Sequence, residues 1–242
     1  MRTAVLSDIH ANLTALEAVI VDIRIHAPDA IVVGGDLVGS GSRPAEVIDR
    51  IRDLGWPVIQ GNADEMLWNA ARVERFFAAP AMHRFFGVVE RTRAATAAAI
   101  GGERLAWLRA QPFEWRHGDL AVVHASPGDA WRSPGIAATD AELERTYESL
   151  GRRLVVYGHL HTAFVRALRS LTVANSGSVS LSYDGDPRAA YALIDPGGVE
   201  IRRVEYDVEA EIRELRARGC PDDEWTAATL RAAAFVALTE DL

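Results

Sequence analysis

Thiol chemistry rests on one cysteine, Cys220. A single thiol excludes an internal disulfide and a thiolate metal cluster, and it makes a reducing cytoplasm the expected compartment. No run approaches the ~18 consecutive apolar residues of a membrane helix, so no membrane association is expected. The opening residues, MRTAVLSDIH, place Asp8 and His10 where a secretory leader would continue its apolar core, so a leader is not expected either. Positive charge is in deficit: 26 basic against 34 acidic residues leave a formal charge of −8. That balance argues against nonspecific binding to nucleic acid or an anionic membrane. A phosphate-bearing substrate remains compatible, because a local metal charge would outweigh the distant net field. Internal repeats and low-complexity linkers are also missing.

The 242 residues, 49% hydrophobic and 25% charged, suffice for one large-cored domain spanning 1–242. TAVLS reads as a buried strand, followed by Leu13, Leu16, Ile20 and Ile23 at helical spacing. AIVVGG is the next strand. A helix follows from Pro44, with Val47, Ile48, Ile51 and Leu54 on one face and Gly55 as its stop. PVIQ makes a third strand, and this β-α-β-α-β order predicts parallel pairing with right-handed crossovers. From about 65 to 116 the pattern turns helical, with breaks expected near Pro80, Gly87 and Gly101–Gly102, and reads as a cap insertion. Strands resume at LAVVH, RLVVYG, LTVAN, AAYALID and VEIRRVEYD. Turns at Asp184–Gly185 and Pro196–Gly198 predict antiparallel hairpins. The tail, about 208–242, reads as helical, and the charges of EAEIRELRAR as a solvated face.

Five apolar runs end in metal-competent side chains: Asp8 and His10; Asp36; Asn62; His124; and His159 with His161. Ligands gather at the carboxyl ends of strands in open α/β sheets, so these seven residues should converge. Two carboxylates, four imidazoles and one amide oxygen suit Mn, Fe, Ni or Zn. They exceed one tetrahedral site and nearly fill two if a carboxylate bridges. His26, His83 and His117 lack this placement.

The spaced blocks SDIHANLTALEAV, VVGGDLVGSG, IQGNADE, VVHASP and YGHLHT resemble those of the calcineurin-like metallophosphoesterases, whose pattern is D-x-H, G-D, G-N-H-[DE], H and G-H-x-H. The similarity covers roughly residues 1–206 and extends through NSGSVSLSYDGDPRAAYALID, as in small bacterial and archaeal members. It implies two mixed sheets packed as a sandwich between helices (αββα), here with a helical cap. It also implies a first ion held by Asp8, His10, Asp36 and His161. The second would be held by Asp36, Asn62, His124 and His159, with Asp36 bridging. Two such ions acidify a bridging water, and the resulting hydroxide attacks phosphorus in line with the leaving oxygen. The expected activity is therefore that of a dinuclear metal-dependent phosphoesterase, most simply a phosphodiesterase acting on a small phosphate ester. Asp36, Asn62, His124 and Asp64 would carry catalysis, Asp64 by orienting a metal histidine. Asn12 and Asn62 would meet the substrate, Asn12 also being a candidate helix cap.

Three positions depart from the family pattern. Ala63 replaces a histidine able to protonate the leaving group, an effect typically worth ~10²–10⁴-fold. His83 is a candidate substitute. Ala11 replaces a glycine, and Tyr183 stands where relatives often have arginine, with Arg188 as the candidate replacement cation. A noncatalytic scaffold of the same fold and a phosphoprotein phosphatase are the competing expectations. Loops 40–43 and 127–135 and the cap should set specificity. The phenylalanines of FFAAPAMHRFF would form either cap core or a homodimer interface.

Overall fold

The chain's strands are short runs such as TAVL, LAVV and LVVY, apolar on both faces. Such runs belong between two covering layers. The computed structural model, which describes residues 1–238, places them there. In chain order the elements are β1 (Thr3–Leu6), α1 (Leu13–His26), β2 (Ala30–Val33), α2 (Pro44–Leu54), α3 (Asn62–Met66), α4 (Ala70–Phe76) and α5 (His83–Arg109). Then come β3 (Glu114–His117), β4 (Leu120–Val123), α6 (Asp140–Tyr147), β5 (Leu154–Tyr157), β6 (Phe164–Ala167) and β7 (Thr172–Asn175). The chain continues through β8 (Ala189–Asp195), β9 (Gly198–Val204), α7 (Val208–Ala217) and α8 (Asp223–Ala232).

Both sheets are mixed. The first runs β2-β1-β8-β9 and the second β3-β4-β5-β7-β6. Pairing is parallel for β1–β2, β4–β5 and β5–β7 and antiparallel elsewhere. Val5, Val32 and Ala192 of the first sheet face Val122, Val156 and Ala174 of the second across a dry interior. One residue along each strand, the side chains point outward. Ala4, Leu6 and Val33 lie under Leu16 and Ile20 of α1 and Ile48 of α2. Val123, Val155 and Val173 lie under Leu143 and Tyr147 of α6. The result is helix, sheet, sheet, helix, with the carboxyl ends of β1, β2, β4 and β5 leading to one rim.

Several elements differ from the expectation. PVIQ forms only a bridge, Val58 to Val33, because the chain leaves the sheet at Gln60, whose N–H bonds Pro112 O. Asp184–Gly185 makes no hairpin: it lies between β7 of one sheet and β8 of the other. The Pro196–Gly197 turn does join antiparallel β8 and β9. β3 and β6 are edge strands whose half-exposed sequences, EWRH and FVRA, gave no apolar signal. Helix α5 runs through Gly87 and departs from helical geometry only at Gly101 (φ 72°, ψ 173°). The helical segment ends at Arg109, so 114–116 belong to β3 rather than to a cap. In the tail, positions 239–242 lie outside the described residues. Glu211 is not on a solvated face: it is fully buried, accepting from Ser42 N, Thr14 Oγ1 and Arg43 Nη2 at 2.9–3.0 Å. It ties α7 to the starts of α1 and α2. No helix among the described residues is long and apolar enough to cross a membrane.

Candidate metal centre

Each strand that points to the rim hands over to a loop with unusual backbone geometry. Among the described residues, nine non-glycine residues have positive φ, and five of them are expected ligands: Asp8 (58°), His10 (46°), Asp36 (53°), His159 (65°) and His161 (57°). Left-handed geometry costs an L-residue ~1–2 kcal/mol, and this concentration marks a site rather than random strain. Hydrogen bonds between loops hold it: His10 N donates to Asp36 O (3.0 Å), Gly158 N to His124 O (3.0 Å), and His159 N to both Asp8 carboxylate oxygens (3.0 and 3.1 Å). Two glycines admit the close approach. A Cβ on Gly61 would overlap the Asp36 carboxylate, and one on Gly158 would overlap that of Asp8.

The side chains form two adjoining groups. Ligand atoms of Asp8, His10, Asp36 and His161 all lie within 4.8 Å of one another. There, His10 Nε2 and His161 Nε2 are 3.1 Å apart, and His161 Nε2 is 3.2 Å from Asp8 Oδ1. In the second group Asn62 Oδ1 is 3.0 Å from His124 Nε2 and 2.8 Å from His159 Nδ1. Asp36 Oδ2 lies between the groups, 3.6 Å from His10 Nε2 and 3.5 Å from His124 Nε2. The donor set fits divalent ions: electron-pair atoms this close need a proton or a cation among them. Outer partners fix the rings. His124 Nδ1 donates to Gly34 O (2.8 Å) and His161 Nδ1 to Leu181 O (2.7 Å), which aims each Nε2 inward. Turned over, the Asn62 amide would instead donate its nitrogen to His124 and His159. An ion requires its oxygen there.

Burial and charge act strongly at this centre. Burial opposes ionisation of Asp36, yet the charge and hydrogen bond of His124 hold it well below the usual carboxylate range. Burial opposes ionisation of Asp8 too, but His161 and His124 together lower it. Burial, reinforced by the neighbouring imidazoles, lowers His10 and His159 to about 4. His124 goes the other way: burial opposes its charge, but Asp36 and Asp8 push it up to about 10.

Other expected residues land elsewhere. Asn12 is fully buried, with Oδ1 capping α1 at Ala15 N (2.9 Å) and Nδ2 donating to Ser180 Oγ (3.1 Å), so no part of it is free for substrate. Asp64 touches no histidine. Its carboxylate accepts from Leu37 N (2.9 Å), Val38 N (3.2 Å) and Gly61 N (3.1 Å), clamping the loops that carry Asp36 and Asn62. Burial, then the Asp36 charge, raises it to about 7. His83 is exposed at the start of α5, and Arg188 is exposed in a pair with Asp186. Neither supplies the missing acid or cation. Tyr183 stacks on His161, with ring centroids 4.6 Å apart. Ala11 (φ 59°) is buried outside the pocket wall.

Sequence reasoning missed a cavity of about 250 Å³ that opens from the ligand set. His10, Asp36, Asn62, His159 and His161 form one end, and Ala63 lies beside them. Phe76, Phe77 and Phe85 line it, so these rings face a pocket while also packing in the cap. Of loop 40–43, only Ser40 reaches it. Loop 127–135 supports the cap from behind, through Trp131 packed on Phe76 and bonded to Glu65 (2.7 Å). Trp225 and Phe235 of the C-terminal segment complete the wall.

Comparison with known proteins gives three similarities besides a family match. The profile of the calcineurin-like phosphoesterase superfamily domain matches residues 1–197. The uncharacterized protein MJ0912 of Methanocaldococcus jannaschii is 29% identical over 245 residues, covering 92% of this chain and 94% of that one. A metallophosphoesterase crystal structure from Sphaerobacter thermophilus is 28% identical, with TM-score 0.78, covering 96% of this chain and 100% of the other. The hypothetical protein PH1004 of Pyrococcus horikoshii OT3 shares the fold at 19% identity, with TM-score 0.81 over 95% and 97% of the two chains.

Proposed function

We propose that this chain, which belongs to the calcineurin-like phosphoesterase superfamily, is a dinuclear metal-dependent phosphoesterase hydrolysing a small phosphate ester, most directly a diester, in the cytoplasm. One observation carries the reading: Asp36 Oδ2 stands 3.6 Å from His10 Nε2 and 3.5 Å from His124 Nε2, between two sets of inward-facing ligand atoms. Asp8, His10, Asp36 and His161 would hold one ion, and Asp36, Asn62, His124 and His159 the other; Mn, Fe, Ni or Zn would each suit these donors. When bound, the ions supply Lewis acidity for the phosphoryl oxygens and acidify water for in-line attack.

The protein's own residues define what else the reaction can use. The chain contains no lysine, and the one arginine lining the cavity among the described residues, Arg93, is engaged with Glu90 at 2.8 and 2.9 Å. Phosphate charge must therefore be met by the metal centre. Ala63 lines the cavity and cannot give a proton to the leaving oxygen. Good leaving groups are thereby favoured, since general acid catalysis is typically worth ~10²–10⁴-fold. Ala63 is also the feature that favours the second reading, a noncatalytic scaffold.

Hydrolysis of bis-p-nitrophenyl phosphate with Mn²⁺, repeated after chelation and metal restoration, separates the two. Its leaving groups need little acid assistance. The expected result is turnover that follows the metal and is lost in His124→Ala. No turnover with Mn²⁺, Ni²⁺ or Zn²⁺ would instead support the scaffold.

A further inference from the structure

The cavity beside the ligand set has a polar end and an aromatic remainder. Phe77 and Phe85 of the cap meet Trp225 and Phe235 of the C-terminal segment there, with Phe85 centroids 5.7, 5.5 and 5.3 Å from the other three rings. Val88, Leu181 and the Tyr183 ring continue the apolar wall towards His161. Trp225 and Phe235 lie beyond the residues matched by the family profile, 1–197. Edge-to-face clusters of this kind accept a further ring at favourable geometry.

We propose that this cavity takes the alcohol portion of the substrate, and that the alcohol is a phenol of one or two rings: the preferred ester is an aryl phosphate. The proposal rests on the phosphoesterase reading above and narrows it. Size supports it, because an apolar cavity of roughly 150 Å³ holds benzene, and this one measures about 250 Å³. Charge supports it as well. Arg93, the one arginine on the wall among the described residues, is already paired with Glu90, which leaves no unpaired arginine or lysine there for the second phosphate of a dinucleoside polyphosphate. Chemistry is the third support. Water adds to phosphorus, the P–O(aryl) bond breaks, and its electron pair leaves on the phenolate, which takes its proton from solvent. Ala63 supplies no proton from its position beside the ligand set, and a phenolate departs without one far more readily than an alkoxide.

The test is calorimetric binding of 1-naphthylphosphonate, n-octylphosphonate and methylphosphonate, whose P–C bonds resist hydrolysis, to the Mn²⁺-loaded full chain. The naphthyl ligand is expected to bind on the order of 50-fold tighter than the methyl one, and more tightly than the octyl one. Phe235→Ala, at a ring that is 50% exposed and with folding checked by an unchanged methylphosphonate affinity, should lower the naphthyl-to-methyl ratio by about fivefold. Equal naphthyl and methyl affinities, or an unchanged ratio in the variant, would overturn the aryl assignment while leaving the phosphoesterase reading standing. Octyl binding as tight as naphthyl would likewise remove the aromatic preference. Binding of none of the three would overturn the aryl assignment, while the phosphoesterase reading is judged separately by the turnover of bis-p-nitrophenyl phosphate.

Discussion

His124 occupies the point where burial and charge meet. Its ring is fully buried, fixed by Gly34 O, and faces Asp36 and Asn62. The Asp36 and Asp8 charges hold its proton up to about 10 despite burial. A metal ligand must be a neutral imidazole, so ion binding at neutral pH has to displace that proton. His10 and His159, lowered to about 4, are already neutral there and add none. The sign follows: below pH 10 the proton competes with the ion, so apparent affinity should rise with pH, up to about tenfold per unit. Titration calorimetry of the metal-free protein with Mn²⁺ at pH 7.5, in buffers of different ionisation enthalpy, should report about one proton released per chain. Ion binding with no buffer dependence would show that His124 is neutral beforehand.

At the scale of elements, two loops are held in register by a residue that ligates nothing. Asp64, in the first turn of α3, accepts three backbone amides from the loops bearing Asp36 and Asn62. Asp64→Ala would strand those donors at a buried site. Given ~1–3 kcal/mol for each unsatisfied buried group, and some relaxation, a loss of about 3 kcal/mol is expected. Ion affinity should fall roughly 10–100-fold because the support of the ligands is lost. Denaturation in chelator and a separate Mn²⁺ titration measure the two effects. Unchanged affinity in a destabilised protein would make Asp64 a folding residue alone. The sequence placed Asp64 beside the ligands but not its partners, because backbone amides carry no residue identity. The candidate ligands were legible: five apolar runs ending in Asp, His or Asn is a one-dimensional pattern. Strand pairing was less visible. PVIQ looked like a strand, but its ladder stops after one bridge, and edge strands β3 and β6 lacked the apolar signal because one face is open to water.

Across the whole molecule, the four-layer sandwich supplies a rigid rim. The cap and the C-terminal helices, with Glu211 fastening α7 to the first sheet's helices, close over it. The cavity could not be read from the sequence. Its walls come from positions between 10 and 96, from 159–161 and 181–183, and from 225 and 235, segments far apart in the chain. The sequence offered Phe76, Phe77 and Phe85 as cap core or as an interface, not as a cavity wall shared with Trp225 and Phe235. The account stands on two ions sharing one carboxylate, and a crystal grown with Mn²⁺ and measured at the manganese edge tests it most directly. Two anomalous peaks roughly 3.5–4 Å apart, with Asp36 between them and Asn62, His124 and His159 on one side, are expected. A single peak, or none at these seven side chains, would contradict the dinuclear centre.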